Sequence, residues 1–429
     1  MRRVAVTGMG VVSPLGNTAA EVFSRCYNGH SGVRVLDTPF AHRLGSPIAG
    51  VAAFDGAAHF DAPKLRMLDR VSQMALVAAQ QAIADARFDA RFDTLLDGPL
   101  RDPDRTGVFM GCGMGGIQSN DEGFQSLYRD NSDRIKPFTV LMGMHNAPAA
   151  WVAMAHGVRG PSLTYSTACS SSAIAIGEAW LRVASGTLDV ALAGGAEAPL
   201  SFGSMKAWEA LHTVAKTDLH MAPTSCKPFS KNRSGMVLGE GAALLVLEAW
   251  DAAVARGAAI HGEILGYGVC TDPSHITKPS AQGQALAMQA ALRSAGLHAQ
   301  EVDAINAHGT GTLANDVAET QAIKAVFGAR ARHIPVSATK ALHGHLLGAA
   351  GVLECVISFL AMQRDVLMPT MHLDEPDPQC DLDYVANGAR PSFPTRTMLS
   401  NSFAFGGSNA VLALRATQCR QRIPRALLV

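Results

Sequence analysis

Tyr165-Ser166-Thr167-Ala168-Cys169 and Val336-Ser337-Ala338-Thr339-Lys340 decide the fold. Each is a strand-like run that ends in small or polar residues and leads into a helical pattern. The first continues through Ser170-Ser171-Ser172-Ala173-Ile174-Ala175-Ile176-Gly177. The two are the third pair of an internal repeat. Val6-Thr7-Gly8-Met9-Gly10-Val11 echoes Leu265-Gly266-Tyr267-Gly268-Val269, and residues 107–116 have a counterpart in 303–312. Strand-and-loop signals recurring in the same order predict a duplicated α/β unit, since burial and turning are specified twice. Between them, short β-branched or alanine-rich runs alternate with amphipathic stretches at 68–86 and 170–184. Residues 190–193, continuously apolar before Gly194-Gly195, read as a buried strand. The fold class is α/β, with helices on both faces of the sheet.

With 429 residues and 48% apolar content, the chain is long enough for two packed halves. The spacing places the boundary near 256–261. It predicts an N-terminal half over 1–258 with cap insertions at 37–61 and 97–105, a C-terminal half over 259–416, and a basic tail over 417–429. No Pro/Ser linker separates the halves, so they are expected to pack intimately. Lys plus Arg equals Asp plus Glu at 36 each, which excludes a global field suited to nucleic acid or a membrane surface. Met1-Arg2-Arg3 before an apolar run imitates a signal peptide, but Gly8, Gly10 and Pro14 read as a buried strand and a turn. No apolar segment is long enough to span a bilayer, so a cytoplasmic protein is expected. The eight cysteines form no CxxC pair, which fits reduced thiols and gives no zinc site. His343 and His345 lack a third ligand of matched spacing, so no metal is expected.

Cys169 at a strand-to-helix turn faces unpaired N–H groups and the positive end of a macrodipole, which favours its thiolate and makes it a candidate nucleophile. A buried inert cysteine is the alternative on this pattern alone. Ala307-His308-Gly309-Thr310-Gly311-Thr312 puts His308 at a strand end, with glycine allowing close approach of a ligand. Lys340 and His345 stand at the start of a second helix rich in small residues, whose packing needs neither of them. Near the C-terminus, Ser400-Asn401-Ser402-Phe403-Ala404-Phe405-Gly406-Gly407-Ser408-Asn409 suits a turn whose N–H points into a cavity and whose rings gate it.

In this order, these motifs resemble the elongating β-ketoacyl-acyl-carrier-protein synthases of the thiolase superfamily, over nearly the whole chain from Arg3 to Leu414. The resemblance implies a duplicated, five-layered α-β-α-β-α fold. It implies a homodimer, or a heterodimer with a related chain-length subunit. It makes Cys169 the acyl-accepting nucleophile, with His308 and His345 polarising the carbonyl of a malonyl thioester. Lys340 supplies positive potential and Glu354 supports it. The N–H groups of Cys169 and Phe405 form a second oxyanion hole. Thr310 and Thr312 contact the pantetheine arm. Phe403, Phe405, Met114, Thr139 and His275 belong to the gate and acyl pocket, and Arg66 and Arg70 face the acyl carrier protein. No resident cofactor is implied, because phosphopantetheine arrives on the carrier with the malonyl and acyl thioesters.

Thiolases use a second cysteine in a C-terminal loop that has none here, and initiating synthases pair their Cys with His and Asn. A catalytically silent chain-length subunit lacks the nucleophilic cysteine. A Cys-His hydrolase leaves His345, Lys340 and the phenylalanine gate unexplained. Ala404 and Ser408 depart from the Gly and Thr commonly found in the gate, and Ala is expected to penalise a positive φ there. Met114, Thr139 and Glu209 also differ from common relatives. Two pathways follow: general fatty-acid elongation, and a specialised polyene or polyketide line with a reshaped pocket.

Overall fold

The computed structural model describes residues 1–88, 102–216 and 219–417. The first half runs β1 (Val4–Val12), α1 (Ala19–Tyr27), β2 (Val33–Val35), β3 (Ile48–Gly50), α2 (Ala62–Leu65), α3 (Arg70–Asp85), β4 (Thr106–Gly111), α4 (Ile117–Tyr128), α5 (Thr139–Gly143), α6 (Ala147–Ala155), β5 (Ser162–Tyr165), α7 (Ser171–Ala184), β6 (Val190–Glu197), α8 (Phe202–Ala210), β7 (Gly241–Ala249) and α9 (Trp250–Ala255). The second runs β8 (Gly262–Thr271), α10 (Ala281–Ala295), β9 (Ala304–Asn306), α11 (Leu313–Phe327), β10 (Val336–Ser337), α12 (Lys340–His343), α13 (Ala350–Met362), β11 (Thr397–Phe403) and β12 (Ser408–Ala416). Most of the 97–105 segment and all but the first residue of the basic tail lie outside the described residues.

Ten strands share one ladder in the order β10-β9-β11-β12-β8-β1-β7-β6-β4-β5. Read outward from its middle, β8-β12-β11-β9-β10 mirrors β1-β7-β6-β4-β5. The mirror matches β1 with β8, β4 with β9 and β5 with β10, the three pairs that echo one another in sequence. The halves join where Val4, Ala5 and Val6 pair antiparallel with Ile264, Glu263 and Gly262.

The helices build three layers around this sheet. On one outer face α3 packs on β1 and β7. On the other, α10 packs on β8 and β12 and touches α11. Between the half-sheets lie α7 and α13, which touch each other and strands of both halves. The expected α-β-α-β-α layering is therefore present. Small residues permit the close approach of helix to strand: a Cβ on Gly10 of β1 would lie 1.9 Å from the Ala78 carbonyl oxygen of α3. Every residue of α13 is buried, as a helix between two sheets requires. Burying each of Val352, Leu353, Ile357 and Leu360 contributes roughly 1.5–3 kcal/mol. Among the described residues, no helix is long and apolar enough to cross a membrane.

Candidate active site

Cys169 sits where β5 turns into α7. Ala168 is held at φ 50°, a left-handed conformation costly for alanine. Three serine and threonine contacts hold the turn. Ser170 Oγ donates to the Thr167 carbonyl at 2.9 Å, Ser171 Oγ donates to the Ala168 carbonyl at 2.6 Å, and Thr167 N–H donates to Ser171 Oγ at 2.9 Å. No side chain caps the start of α7. The sulfur is nevertheless buried, with Cys169 5% exposed. Burial pushes its thiol up to about 12, against the opposing pull of the Lys340 charge and the N–H groups of Phe405 and Cys169 itself. The thiolate favoured from sequence is thus corrected: in the closed cleft, desolvation outweighs the helix terminus, and the resting group is a thiol.

The two histidines come from the second half. His308 follows β9, and the buried Glu319 carboxylate of α11 fixes its loop by accepting the His308 and Gly309 N–H groups at 2.8 and 2.9 Å. Lys340, fully buried, donates to the His308 carbonyl at 2.6 Å and to Glu354 at 2.5 Å, and lies 3.4 Å from His308 Nδ1. An ammonium only donates, so Nδ1 is the acceptor and His308 carries its proton on Nε2. His345 reaches the same tautomer by another route, because Leu347 N–H donates to its Nδ1 at 3.2 Å. Its Nε2–H is buried without a partner among the described residues. Both imidazoles are held neutral, with values pushed well below the usual range by burial first and by the Lys340 charge second.

The ligand atoms of Cys169, His308 and His345 lie within 4.8 Å of one another. One sulfur thus lies beside a ring nitrogen of each imidazole, a spacing suited to an attacked carbonyl on one side and a developing oxyanion on the other. The same three atoms have the spacing of a metal site. The tautomer of His345 argues against that use, because a ligand needs a lone pair at the nitrogen that here bears hydrogen.

These groups line a cleft of about 110 Å³, with Thr310, Thr312, His275, Phe403 and Phe405 also in its walls. Thr310 and Thr312 hydroxyls are 2.9 Å apart. The gate and the loop at 272–279 are tied by backbone bonds: Gly406 N–H donates to the Ile276 carbonyl at 2.7 Å, and Asp272 N–H to the Gly407 carbonyl at 2.9 Å. Ala404 has φ −122°, extended backbone that any residue adopts, so the expected penalty for alanine does not arise in this conformation. The positive φ values fall on Gly406 and Gly407.

One further expectation is corrected. Arg70 does not face outward toward a carrier. Its guanidinium forms a two-pronged ion pair with the buried Glu240 at 2.7 and 2.8 Å and donates to the Phe54 and Ala52 carbonyls. Arg66, the C-cap of α2 and separated from Arg70 by a break between α2 and α3, is exposed. Met114 does not line the cleft directly. Its sulfur accepts from Trp208 Nε1 at 3.5 Å, and the Trp208 ring stacks on Phe405 at 6.1 Å, so Met114 stands behind the gate. Thr139 starts α5, donates to the Lys136 carbonyl at 2.8 Å, and is not among the cleft residues of its own chain.

Sequence reasoning passed over three residues. Glu319 holds the His308 loop, and Trp208 backs the gate. Glu197, at the end of β6, accepts from the N–H groups of Gly113, Met114 and Gly348 at 2.8, 3.0 and 3.0 Å, tying the loop after β4 to the turn that follows His345. A single carboxylate at the end of an apolar strand was the available signal, since it must find donors where it is buried.

Comparison with known proteins agrees with this geometry. Residues 1–253 match the family model "Beta-ketoacyl synthase, N-terminal domain", and 261–374 match "Beta-ketoacyl synthase, C-terminal domain". The chain is 40% identical over 414 residues to nodulation protein E of Rhizobium meliloti (strain 1021), covering 96% of this chain and 99% of that one. It is 38% identical over 420 residues to 3-oxoacyl-[acyl-carrier-protein] synthase 2 of Staphylococcus aureus (strain COL), covering 96% and 98%. Among solved structures it superposes on the ishigamide ketosynthase/chain length factor with TM-score 0.88 at 31% identity, covering 97% of this chain and 99% of that one.

Proposed function

The chain belongs to the β-ketoacyl synthase family, and from that premise we propose that it condenses a Cys169-bound acyl chain with a malonyl group, both delivered on an acyl carrier protein. The observation that carries the reading is the meeting of one sulfur from the first half with two neutral N–H donors from the second. In the first step Cys169 sulfur attacks the acyl thioester carbon, and the oxyanion lies against the Cys169 and Phe405 N–H groups. Neither imidazole accepts the thiol proton at Nε2, because both already carry one there. That proton leaves with the departing carrier thiolate as the carrier C–S bond breaks.

In the second step the malonyl thioester carbonyl takes the hydrogen bonds of His308 and His345. The bond to the carboxylate breaks, carbon dioxide departs with its two oxygens, and the electron pair becomes an enolate stabilised by both N–H groups. Its carbon attacks the acyl carbon, a C–C bond forms, and the C–S bond to Cys169 breaks. Cys169 then regains a proton from solvent. Removing one such donor costs on the order of 3 kcal/mol of transition-state stabilisation. Lys340 orients His308 and holds it neutral; Glu354 balances the buried ammonium. Thr310 and Thr312 take the pantetheine arm, while Phe403, Phe405 and His275 gate the chain, with Met114 behind them. Arg66 meets the acidic carrier. The chemistry requires no resident metal or cofactor, and the enzyme works in the cytoplasm.

The active unit is a dimer. Phe124, Tyr128, Phe138, Val140, Leu141 and Met154 on α4–α6 are all about half exposed or more, and they adjoin the edge strand β5 with its exposed Leu163. An apolar face of this extent is a self-association surface. Thr139 lies in it, where a partner subunit closes the neighbouring pocket. A homodimer is the primary reading. The kinship with a ketosynthase/chain length factor pair favours, as the second, a heterodimer in polyene or polyketide synthesis. Feeding saturated and polyunsaturated acyl-carrier thioesters with malonyl-carrier separates the pathways. Products two carbons longer from saturated chains alone support fatty-acid elongation, and a preference for unsaturated chains supports the specialised line. No condensation with any chain contradicts both.

A further inference from the structure

Gln284 of α10 is 1% exposed and lines the catalytic cleft beside Thr312 and Asn315. Its orientation is fixed by its neighbours. Asp316 Oδ1 accepts the Gly311 N–H, and Glu319 Oε2 accepts the Gly309 N–H. Asn315 must therefore turn its nitrogen to these two oxygens, at 3.3 and 3.4 Å, and its own oxygen toward Gln284. Gln284 answers with Nε2 at 3.2 Å, and its Oε1 is left buried with no partner among the described residues. A buried acceptor without a donor is costly, and the side chain that carries it belongs to a residue lining the cleft that substrate must enter.

Every substrate of a carrier-dependent condensation arrives on an arm with two amide N–H groups. We propose that Gln284 Oε1 accepts a hydrogen bond from an amide N–H of the phosphopantetheine arm, a binding contact additional to the threonines. This rests on the ketosynthase reading. The contact forms with ground state and transition state alike, so it acts on KM and leaves kcat unchanged.

The test uses the malonyl thioester of pantetheine and two analogues in which each amide in turn becomes an ester, deleting one N–H. With wild-type enzyme, one ester is expected to raise KM roughly five- to tenfold at unchanged kcat, the worth of a neutral hydrogen bond. In Gln284→Met, the amide substrate is expected to show the same raised KM, and that ester no further loss. If both esters match the amide in wild type, or if the ester penalty persists in full in Gln284→Met, the assignment is overturned. The comparison of substrates on wild type needs no variant and by itself overturns the contact when both esters match the amide; if Gln284→Met fails to fold, Gln284→Leu, which also removes the acceptor, takes its place in the second arm. Absence of any condensation by wild type contradicts the ketosynthase reading itself; condensation indifferent to the amides contradicts the Gln284 contact alone.

Discussion

Cys169 reacts from a pocket that holds its proton on. Because burial raises the thiol to about 12, the thiolate fraction at neutral pH is small and grows with alkalinity. Alkylation of Cys169 by iodoacetamide, followed by peptide mass, is expected to accelerate about tenfold per pH unit from 7 to 10, with no levelling near the ordinary thiol value. A plateau below pH 9 would mean that the α7 terminus overcomes desolvation. The two arginines called alike from sequence separate at this scale. Arg70→Met strips Glu240 of its cation, and the loss in unfolding free energy is expected at about 2–3 kcal/mol, read by denaturant titration. Arg66→Glu is expected to leave stability unchanged and to raise KM for the carrier severalfold. The reverse pattern would exchange their roles. Sequence could place both on one helical segment but could not tell which guanidinium finds a carboxylate 170 positions away.

Elements explain why the site assembles. Cys169, His308 and His345 follow β5, β9 and α12, elements near the far edges of the two half-sheets, and the α7/α13 layer draws those edges together. The helices approach closely because glycines stand where they cross strands. Gly10→Val forces a side chain into the Ala78 carbonyl of α3, and a loss of about 3 kcal/mol is expected in thermal or denaturant unfolding. A neutral effect would show that α3 yields easily. The repeat of strand-and-loop signals was legible because the same burial pattern is written twice, as β1 and β8 or β4 and β9. Glu197 and Glu319 were not, because a carboxylate that serves distant backbone N–H groups leaves no periodicity. The depth of Met114 behind the gate was not legible either, because position in a family motif says which loop a residue is on, while that depth depends on Trp208.

The whole molecule presents a buried catalytic layer and one apolar outer face. Leu163 and Val140 are exposed on that face, 40% and 72% respectively. Leu163→Asp combined with Val140→Asp is expected to convert a dimer into a monomer in sedimentation, with the chain still folded; an unchanged dimer would move the interface elsewhere. In the proposed mechanism the first half accepts the acyl chain and the second half activates malonyl. The most direct measurement is intact mass after mixing acyl-carrier and then malonyl-carrier with wild type, Cys169→Ala and His345→Ala. An acyl adduct is expected on wild type and on His345→Ala, none on Cys169→Ala, and elongated product from wild type alone. Acylation of Cys169→Ala, or condensation by His345→Ala at the wild-type rate, would overturn this division of labour between the halves.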